Sequence, residues 1–310
     1  MKHISIIVCL LFLFLLKAYS QLTYNELEVQ YDSVWTYKNL KLIPVKFKST
    51  GGTVIPNNGM ISFSEAFQTG KITLHELSNP EGADINTLFI KNRSKKNIVI
   101  SSGEMIEGGK QDRVSGITTI IPAEEDYYLP VFCIEKGRWN GKAKPFSYAG
   151  TVDAALKKQI DVTQKQNDIW KEIDKQYQDK NATADTWPYI KIYKDTSGAD
   201  SSYMNYFMNR FKNSDSSFAG FVAITSNHII SFELFATPEL CFLSYKGLIN
   251  TYIHSVTDKE GTPSVEDEEV RDFLDGFMRS AKQQKRYLST HGRIDTYDKK
   301  IIHLAAYPEE

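Results

Sequence analysis

Glycines and charged side chains crowd into one short stretch of the sequence, Ser101–Arg113. Glycine allows the backbone to adopt positive φ angles and to approach a ligand closely. Lys110 and Arg113, together with backbone N–H groups, suit a phosphate or a carboxylate, and Gln111 could orient such a group. The stretch therefore indicates a site for a small anionic metabolite.

The same stretch does not meet the requirements of a phosphate-binding P-loop. Gly103 and Gly108 have the separation of that motif, but Gly109 stands where its lysine is required. A β-run follows at Gly116, where the motif needs a helix. The sequence therefore excludes a P-loop ATPase. It leaves open a second interpretation, a hairpin with a glycine bulge and a charged, solvated tip.

A second polar stretch, Pro130–Trp139, ends a run of apolar residues. Because alternate residues of a strand share a face, Cys133 and Glu135 point the same way. A glycine turn then presents Arg138 and Trp139, and a carboxylate, a guanidinium and an indole together suit a planar or sugar-like ligand. The alternative is a surface Glu135–Arg138 pair, with Trp139 covering the core.

Cysteine and metal chemistry is weakly supported. Cys133 lies within an apolar run, which favours an inert core thiol over a nucleophile. Cys133 and Cys241 are far apart in sequence, and two separate buried thiols are favoured over a disulfide. The histidines lack the His-x-x-x-His spacing and no Cys-x-x-Cys pair occurs, so no metal site and no cofactor are predicted.

The elements that must position these stretches change character along the chain. As far as Glu135, short runs rich in β-branched and aromatic residues alternate with turn residues, which is typical of an antiparallel sandwich or open barrel. Helical spacing dominates from Thr151 onward, with a hairpin turning at Ser226–His228. The fold class is therefore α+β: a β-rich N-terminal sandwich or open barrel packed with helices and a hairpin from the C-terminal half.

Capping residues and residues that interrupt secondary structure predict where the helices and one long loop begin and end. Asn140–Gly150, rich in glycine, lysine and proline, is expected to be an exposed loop. Ser264 and Asp267 form a predicted capping box. Helices are expected over Phe63–Thr69, Thr151–Lys180, Ser201–Lys212, Pro238–Ser255 and Ser264–Arg286.

The N-terminus is typical of a secretory signal peptide. Lys2 precedes an apolar run from Ile4 to Leu16, and Ala18–Ser20 supplies a small-x-small cleavage site. The run is shorter than the roughly 20 residues that span a bilayer, so cleavage is favoured over retention as an anchor. We expect an exported protein, periplasmic or secreted, with no membrane span after cleavage.

Composition and charge bound the remaining possibilities. A formal net charge of −1 argues against a nucleic-acid partner, because a surface that binds a phosphate backbone needs a marked excess of Lys and Arg. After a signal peptide at residues 1–20, we expect a single α+β domain at 21–310. It divides into a β-rich part at about 21–139, a helix-rich part at about 151–288 and a terminal strand or tail at 289–310.

Together the two polar stretches resemble the signature blocks of a known domain family. It is the family associated with ADP-ribosylglycohydrolases and rhodanese-phosphatases. Its first block, Gly-Glu-x-x-x-Gly-x-Lys-Gln-Asn-Arg, is matched here by Gly103, Glu104, Lys110, Gln111 and Arg113. Its second block, Pro-Val-x-Cys-x-Glu-x-Gly-Arg-Trp, is matched by Pro130, Val131, Cys133, Glu135, Gly137, Arg138 and Trp139.

The resemblance extends more weakly from about Leu40 to Val256. Glu65, Glu76 and Asn92 stand where the family has the same residue types, whereas Asp112 replaces the usual Asn. The resemblance implies a nucleotide- or ADP-ribose-like ligand, a link that comes from gene association.

Two hypotheses follow. In the first, Lys110, Arg113 and Arg138 neutralise the ligand, Gln111 orients it, Trp139 stacks on it, and Glu104 and Glu135 are general acid and base. In the second, the protein is a non-enzymatic envelope protein whose Glu, Lys and Arg residues form a buried salt-bridge network.

Overall fold

The computed structural model describes residues 22–49, 59–79, 82–138, 143–182, 186, 188–196, 201–214, 217–256 and 261–309. In this part the chain is α+β with a β-rich N-terminal half, as the sequence predicts. The strands are β1 Leu27–Val29, β2 Trp35–Tyr37, β3 Leu40–Phe47, β4 Met60–Ser62, β5 Ile72–Asn79, β6 Gly82–Asn92, β7 Asn97–Ile100, β8 Glu104–Gly109, β9 Arg113–Ser115, β10 Thr119–Ile121, β11 Asp126–Cys133, β12 Lys144–Thr151, β13 Phe218–Thr225, β14 His228–Phe235, β15 Gly292–Tyr297 and β16 Lys300–Ala306. The helices are α1 Phe63–Gln68, α2 Ala154–Thr163, α3 Gln166–Asp179, α4 Tyr189–Thr196, α5 Ser201–Lys212, α6 Pro238–Val256, α7 Asp267–Asp275 and α8 Ala281–His291.

Three sheets organise these strands. A seven-stranded sheet has the order β1-β3-β13-β14-β16-β15, with β2 also paired to β3. A six-stranded sheet has the order β12-β8-β9-β11-β6-β5, and a three-stranded sheet has the order β10-β7-β4. The C-terminal hairpins therefore complete a sheet that β1–β3 begin, because β3 pairs antiparallel with β13.

The centre of the seven-stranded sheet is covered on both faces. All eight residues of β13 are buried, and alternate side chains enter two different cores. Phe221 packs in a core with residues of α5 and α6, whereas Val222 packs in a core with residues of α7 and α8. Burial on both faces explains why β13 is a continuous apolar run and does not alternate.

The glycine-rich stretch is a buried hairpin. β8 and β9 pair antiparallel with Ile106 opposite Arg113, so most of the predicted connection is strand. The hairpin interpretation is confirmed, but the solvated tip is wrong, because Gln111 and Asp112 at the tip are buried.

The exposed loop expected over Asn140–Gly150 is also wrong. Residues 144–151 form β12, which pairs with β8 through Tyr148 and Ile106, while residues 139–142 lie outside the described part. β12 lies at the edge of its sheet, and an edge strand tolerates lysine and proline because one side of its backbone has no partner strand.

Most helix predictions are confirmed, including α5, α6 and the Ser62 cap of α1. Each of the two long helices predicted at Thr151–Lys180 and Ser264–Arg286 is divided into two helices in the structure. Gln164, with φ of 52°, separates α2 from α3, and the side chain of Asp153 caps α2, not Thr151. A break at residues 276–280 separates α7 from α8, and the capping box is formed by Glu266 and Glu269. No helix in the described part is long and apolar enough to cross a membrane.

Candidate functional site

The structure brings the two polar stretches into contact. β11 pairs with β9, so that Cys133 lies opposite Arg113. Beyond the strand, the backbone N–H of Ile134 donates to the Asp112 carbonyl at 3.0 Å. The Gln111 side chain donates to the Glu135 carbonyl at 2.8 Å, which places Glu135 beside the hairpin tip.

Arg138 closes the tip of the β8–β9 hairpin. Its Nε donates to Glu135 Oε2 at 2.6 Å, and its Nη2 donates to Asp112 Oδ1 at 2.9 Å. Its Nη1 donates to the Gly109 carbonyl at 2.9 Å. Glu135 also accepts from the backbone N–H of Asp112 at 3.2 Å and from the Thr186 hydroxyl at 3.1 Å. The charged groups of Arg138 and Glu135 are therefore directed at the protein itself.

Glycine at position 108 is a steric requirement of this arrangement. Its φ is +118°, and a Cβ there would lie 2.3 Å from the Pro145 carbonyl oxygen of β12. The Gly108 N–H donates to Asp112 Oδ1 at 2.9 Å. An asparagine at 112 would offer an equivalent acceptor oxygen to this N–H. Burial raises the pKa of Asp112, opposed in part by this hydrogen bond.

Glu76 accepts a hydrogen bond from the backbone of Lys110 and forms an ion pair with Arg113. The Lys110 backbone N–H donates to Glu76 Oε1 at 2.7 Å, and Arg113 Nη2 lies 3.7 Å from the same oxygen. Arg113 is only 2% exposed, so its charge is compensated inside the protein and does not face solvent. Trp139 lies outside the described residues.

Cys133 and Cys241 are free, buried thiols, as predicted. Burial raises the pKa of the Cys133 thiol, with a smaller opposing effect of Arg113. Burial likewise raises the pKa of Cys241. Both side chains are thus neutral thiols at physiological pH, and a thiol is a much weaker nucleophile than a thiolate.

The structure does not bring Glu104 and Glu135 together. Glu104 begins β8 and Gly109 ends it, a span of about 16 Å at ~3.3 Å per residue. Glu135 lies at the Gly109 end, beside Arg138. Glu104 lies at the other end, where its Oε2 accepts from the Ser101 backbone N–H at 2.8 Å.

Glu104 faces a cavity of about 360 Å³. Residues of α1, β12, α5 and α6 form its other walls, and serine hydroxyls are its most frequent polar groups. These serines are Ser62, Ser64, Ser101, Ser102 and Ser244. Glu65 and Lys246 add charge, and Met204, Met208 and Phe242 supply an apolar wall. Of the described residues that line this cavity, none belongs to the cluster around Arg138.

The environment of Glu104 makes its carboxyl group a weaker acid than an ordinary glutamate. Burial raises its pKa to about 7, against smaller lowering effects of the Ser101 N–H and the Tyr148 side chain. A carboxyl group with this pKa exchanges a proton near neutral pH, which an ordinary glutamate does not do.

A second polar network lies behind the cavity and was missed from the sequence. Lys157 Nζ lies 2.6 Å from Asp161 Oδ2 and 2.9 Å from Glu233 Oε1, and all three side chains are almost fully buried. Tyr307 donates to Asp161 at 2.6 Å. The Ser102 hydroxyl donates to the other oxygen of Asp161, which connects this network to the cavity wall.

His303 extends the network along the seven-stranded sheet. Its Nε2 lies 2.7 Å from Glu233 Oε2 and its Nδ1 lies 3.1 Å from Asp295 Oδ2. Arg293 Nε lies 2.6 Å from Asp295 Oδ1. Burial acts to lower the pKa of His303, but its hydrogen bonds to Asp295 and Glu233 outweigh burial and raise it. Protonated His303 gives the network three cations for three carboxylates.

One signal in the sequence could have revealed part of this network. Glu233 lies inside the apolar run of β14, and a charge at such a position requires a buried partner. Its partner Lys157 is remote in sequence and could not have been named. No group of three or more potential metal ligands lies together in the described residues.

A second cavity, of about 550 Å³, lies beside α2 and α3. His228 and His254 line it together with the carboxylates of Asp153 and Glu172. Burial raises the pKa of both carboxyl groups. Asp179, Glu309 and three lysines also line it, so charged groups of both signs surround this cavity.

Replacing Arg138 by alanine is expected to destabilise the protein strongly. The substitution leaves Asp112 and Glu135 buried without their cation, and we expect a loss of about 3–5 kcal/mol in the free energy of unfolding. Lys136→Ala is the matched control, because it breaks a half-exposed pair with Asp174 and should cost less than about 1 kcal/mol. Urea denaturation measures both, and equal small losses would contradict the buried network.

The His303 network predicts a specific pH dependence of stability. A raised folded pKa contributes stability that is fully present below the unfolded value of 6.5 and is lost as pH rises through the folded value. The melting temperature of His303→Gln should therefore lie furthest below wild type at about pH 6, with the gap narrowing towards pH 9. A gap that stays constant across this range would show that folding does not raise the pKa of His303.

Comparison with known proteins gives one match. No curated protein and no solved structure matches the chain. One family model, described as the ARG and Rhodanese-Phosphatase-superfamily-associated Protein domain (ARPP-1), matches residues 28–307. This range contains both polar stretches, the cavity beside Glu104 and the network behind it. The chain therefore belongs to the ARPP-1 family.

Proposed function

We propose that this chain is an exported metabolite-binding domain whose ligand, a small anionic nucleotide- or ADP-ribose-like molecule, occupies the cavity beside Glu104. The observation that carries the proposal is a buried carboxyl group facing a cavity lined with serine hydroxyls. Ligand sites combine an apolar wall with a few convergent polar groups, and about 360 Å³ lies within their usual size range.

The cavity offers a partner for each part of such a ligand. Serine hydroxyls both donate and accept, which suits the hydroxyl groups of a ribose. Lys246 is exposed at the cavity wall and suits the anionic group as a point charge. Arg113 and Arg138, which the sequence pattern assigns to the anionic group, already lie against acidic and carbonyl groups of the protein.

Glu104 is the candidate for proton transfer in this cavity. Near pH 7 both its protonated and its ionised forms are populated, so it can either donate or accept a proton. Glu135, which the sequence analysis pairs with Glu104, lies at the far end of the hairpin. Glu65 is the second carboxylate that lines the cavity. A catalytic role therefore depends on Glu104 and does not require Glu135.

A second candidate function is a non-enzymatic envelope protein. It is favoured by one specific observation, the engagement of Arg138 by Glu135, Asp112 and the Gly109 carbonyl. In that case the family motif preserves a structural network and the cavity has no ligand. Binding measurements separate the two functions.

Export is supported by the N-terminal pattern of Lys2, an apolar run and a small-x-small site at Ala18–Ser20. Residues 1–21 lie outside the described part of the chain. Intact-mass measurement of the protein from a secreting host tests this part of the proposal. We expect a mature form that begins at Gln21, and a full-length, cell-retained chain would contradict export.

Ligand binding should depend on Lys246 and not on Lys110. We expect ADP-ribose or ribose 5-phosphate to bind the wild type, measured by calorimetry, and Lys246→Ala to weaken binding about ten-fold. Lys110→Ala is the matched control, because it removes a lysine from the family motif at the hairpin tip. Weaker binding by Lys110→Ala but not by Lys246→Ala would show that the ligand binds at the hairpin tip. If the wild type binds neither compound, the structural function is favoured.

The substitution Glu104→Gln should stabilise the protein at alkaline pH. The folded chain holds a proton on Glu104 up to about pH 7, whereas the unfolded chain releases it near 4.5, so stability falls as pH rises through this window. Above pH 7 the ionisation of buried Glu104 lowers the free energy of unfolding by about 3 kcal/mol, and a glutamine, which does not ionise, avoids this loss. Urea denaturation at pH 8 should show this gain and at pH 4 should not. A loss of stability at pH 8 would indicate a structural role for the charged form.

A further inference from the structure

Two large aromatic side chains stand out on the surface of the described residues. Tyr128 of β11 and Phe242 of α6 are each 61% exposed. Single exposed apolar side chains are common on protein surfaces, so the surroundings of each ring distinguish the two. Phe242 lines the cavity beside Glu104, whereas Tyr128 lines neither of the two cavities described above.

Phe242 is the outer end of a ladder of stacked rings. Tyr245, buried in the core, stacks on Phe211 with ring centroids 3.9 Å apart and an interplanar angle of 11°. Phe211 in turn stacks on Phe242 at 5.8 Å and 25°. The Tyr245 hydroxyl donates to the Phe207 carbonyl at 3.1 Å, which fixes the inner end of the ladder.

This ladder holds Phe242 in place without covering it. One face of its ring rests on Phe211, so the surface that remains is what the cavity and the solvent contact. A ring already held by its neighbours loses little conformational freedom when another flat ring stacks on it.

Lys246 lies four residues further along α6, and residues at this spacing are neighbours on a helix surface. An aromatic surface and a cation therefore stand side by side at one cavity wall, and serine hydroxyls and Glu104 line the same cavity. This set of groups suits a molecule that carries a flat ring, a polyhydroxyl ring and an anionic group.

We propose that the aromatic base of a nucleotide stacks on Phe242 as the next ring of the ladder, so that Phe242 selects ligands with a base over ligands without one. This inference rests on the proposed function, because it assigns one part of the ligand to one part of the same cavity. The exposed Lys246 beside the ring favours a nucleotide over an apolar partner segment, because only the nucleotide brings a negative charge.

Calorimetric titration with AMP and with ribose 5-phosphate tests the proposal. The two probes share the sugar and the phosphate and differ in the base. We expect wild type to bind AMP about ten-fold more tightly than ribose 5-phosphate, since a stacked base contributes this order of affinity. Phe242→Leu should remove most of that difference by weakening AMP binding, and it should leave ribose 5-phosphate binding unchanged.

Two further variants make the test specific. Phe242→Tyr keeps the aromatic face and should bind AMP as wild type does. Tyr128→Leu removes an equally exposed ring that also packs against one aromatic neighbour, Phe89, and should change neither affinity. Equal AMP affinity of wild type and Phe242→Leu overturns the inference while ribose 5-phosphate binding preserves the proposed function. Binding of neither probe to wild type overturns both.

Discussion

The structure depends on one constraint, that a charge removed from water must be paired inside the protein. Two buried networks meet it, and they hold the two ends of the glycine-rich stretch. At one end Arg138 ties the hairpin tip to Glu135 and Asp112. At the other end Ser102 is bonded to Asp161, which Lys157 links to Glu233 in the seven-stranded sheet. The hairpin belongs to the six-stranded sheet, and the second network therefore ties its first residues to the seven-stranded sheet.

Glu104 differs from the other buried carboxylates of these networks because a cavity lies beside it and burial leaves its pKa near 7. Desolvation without a compensating cation destabilises the folded state, and proteins accept such a cost mainly at functional sites. The networks on either side hold their charged groups against protein partners of opposite charge. The structural charges of this segment are thus paired, whereas Glu104, the carboxyl group that we propose to be functional, is left to titrate.

The sequence was sufficient for the fold class, the family and the contact between the two polar stretches. These predictions rested on local patterns: the hairpin turn at Ser226–His228, the helix at Pro238–Ser255 and the motif residues themselves. Local patterns failed where tertiary contacts decided the outcome. Residues 144–151 have the composition of a loop but add a strand beside β8. Glu104 and Glu135 belong to neighbouring motifs but lie at opposite ends of a hairpin. The Lys157 network joins strands whose order in the sheet no local signal specifies.

The central claim is that Glu104 titrates near neutral pH beside an accessible cavity. Its carboxyl carbon can be followed directly by 13C NMR in protein labelled at the glutamate side chains, with Glu104→Gln identifying the resonance. The account predicts a titration midpoint near 7 for this one carboxyl group. A midpoint near 4.5, the value of an ordinary solvated glutamate, would contradict it.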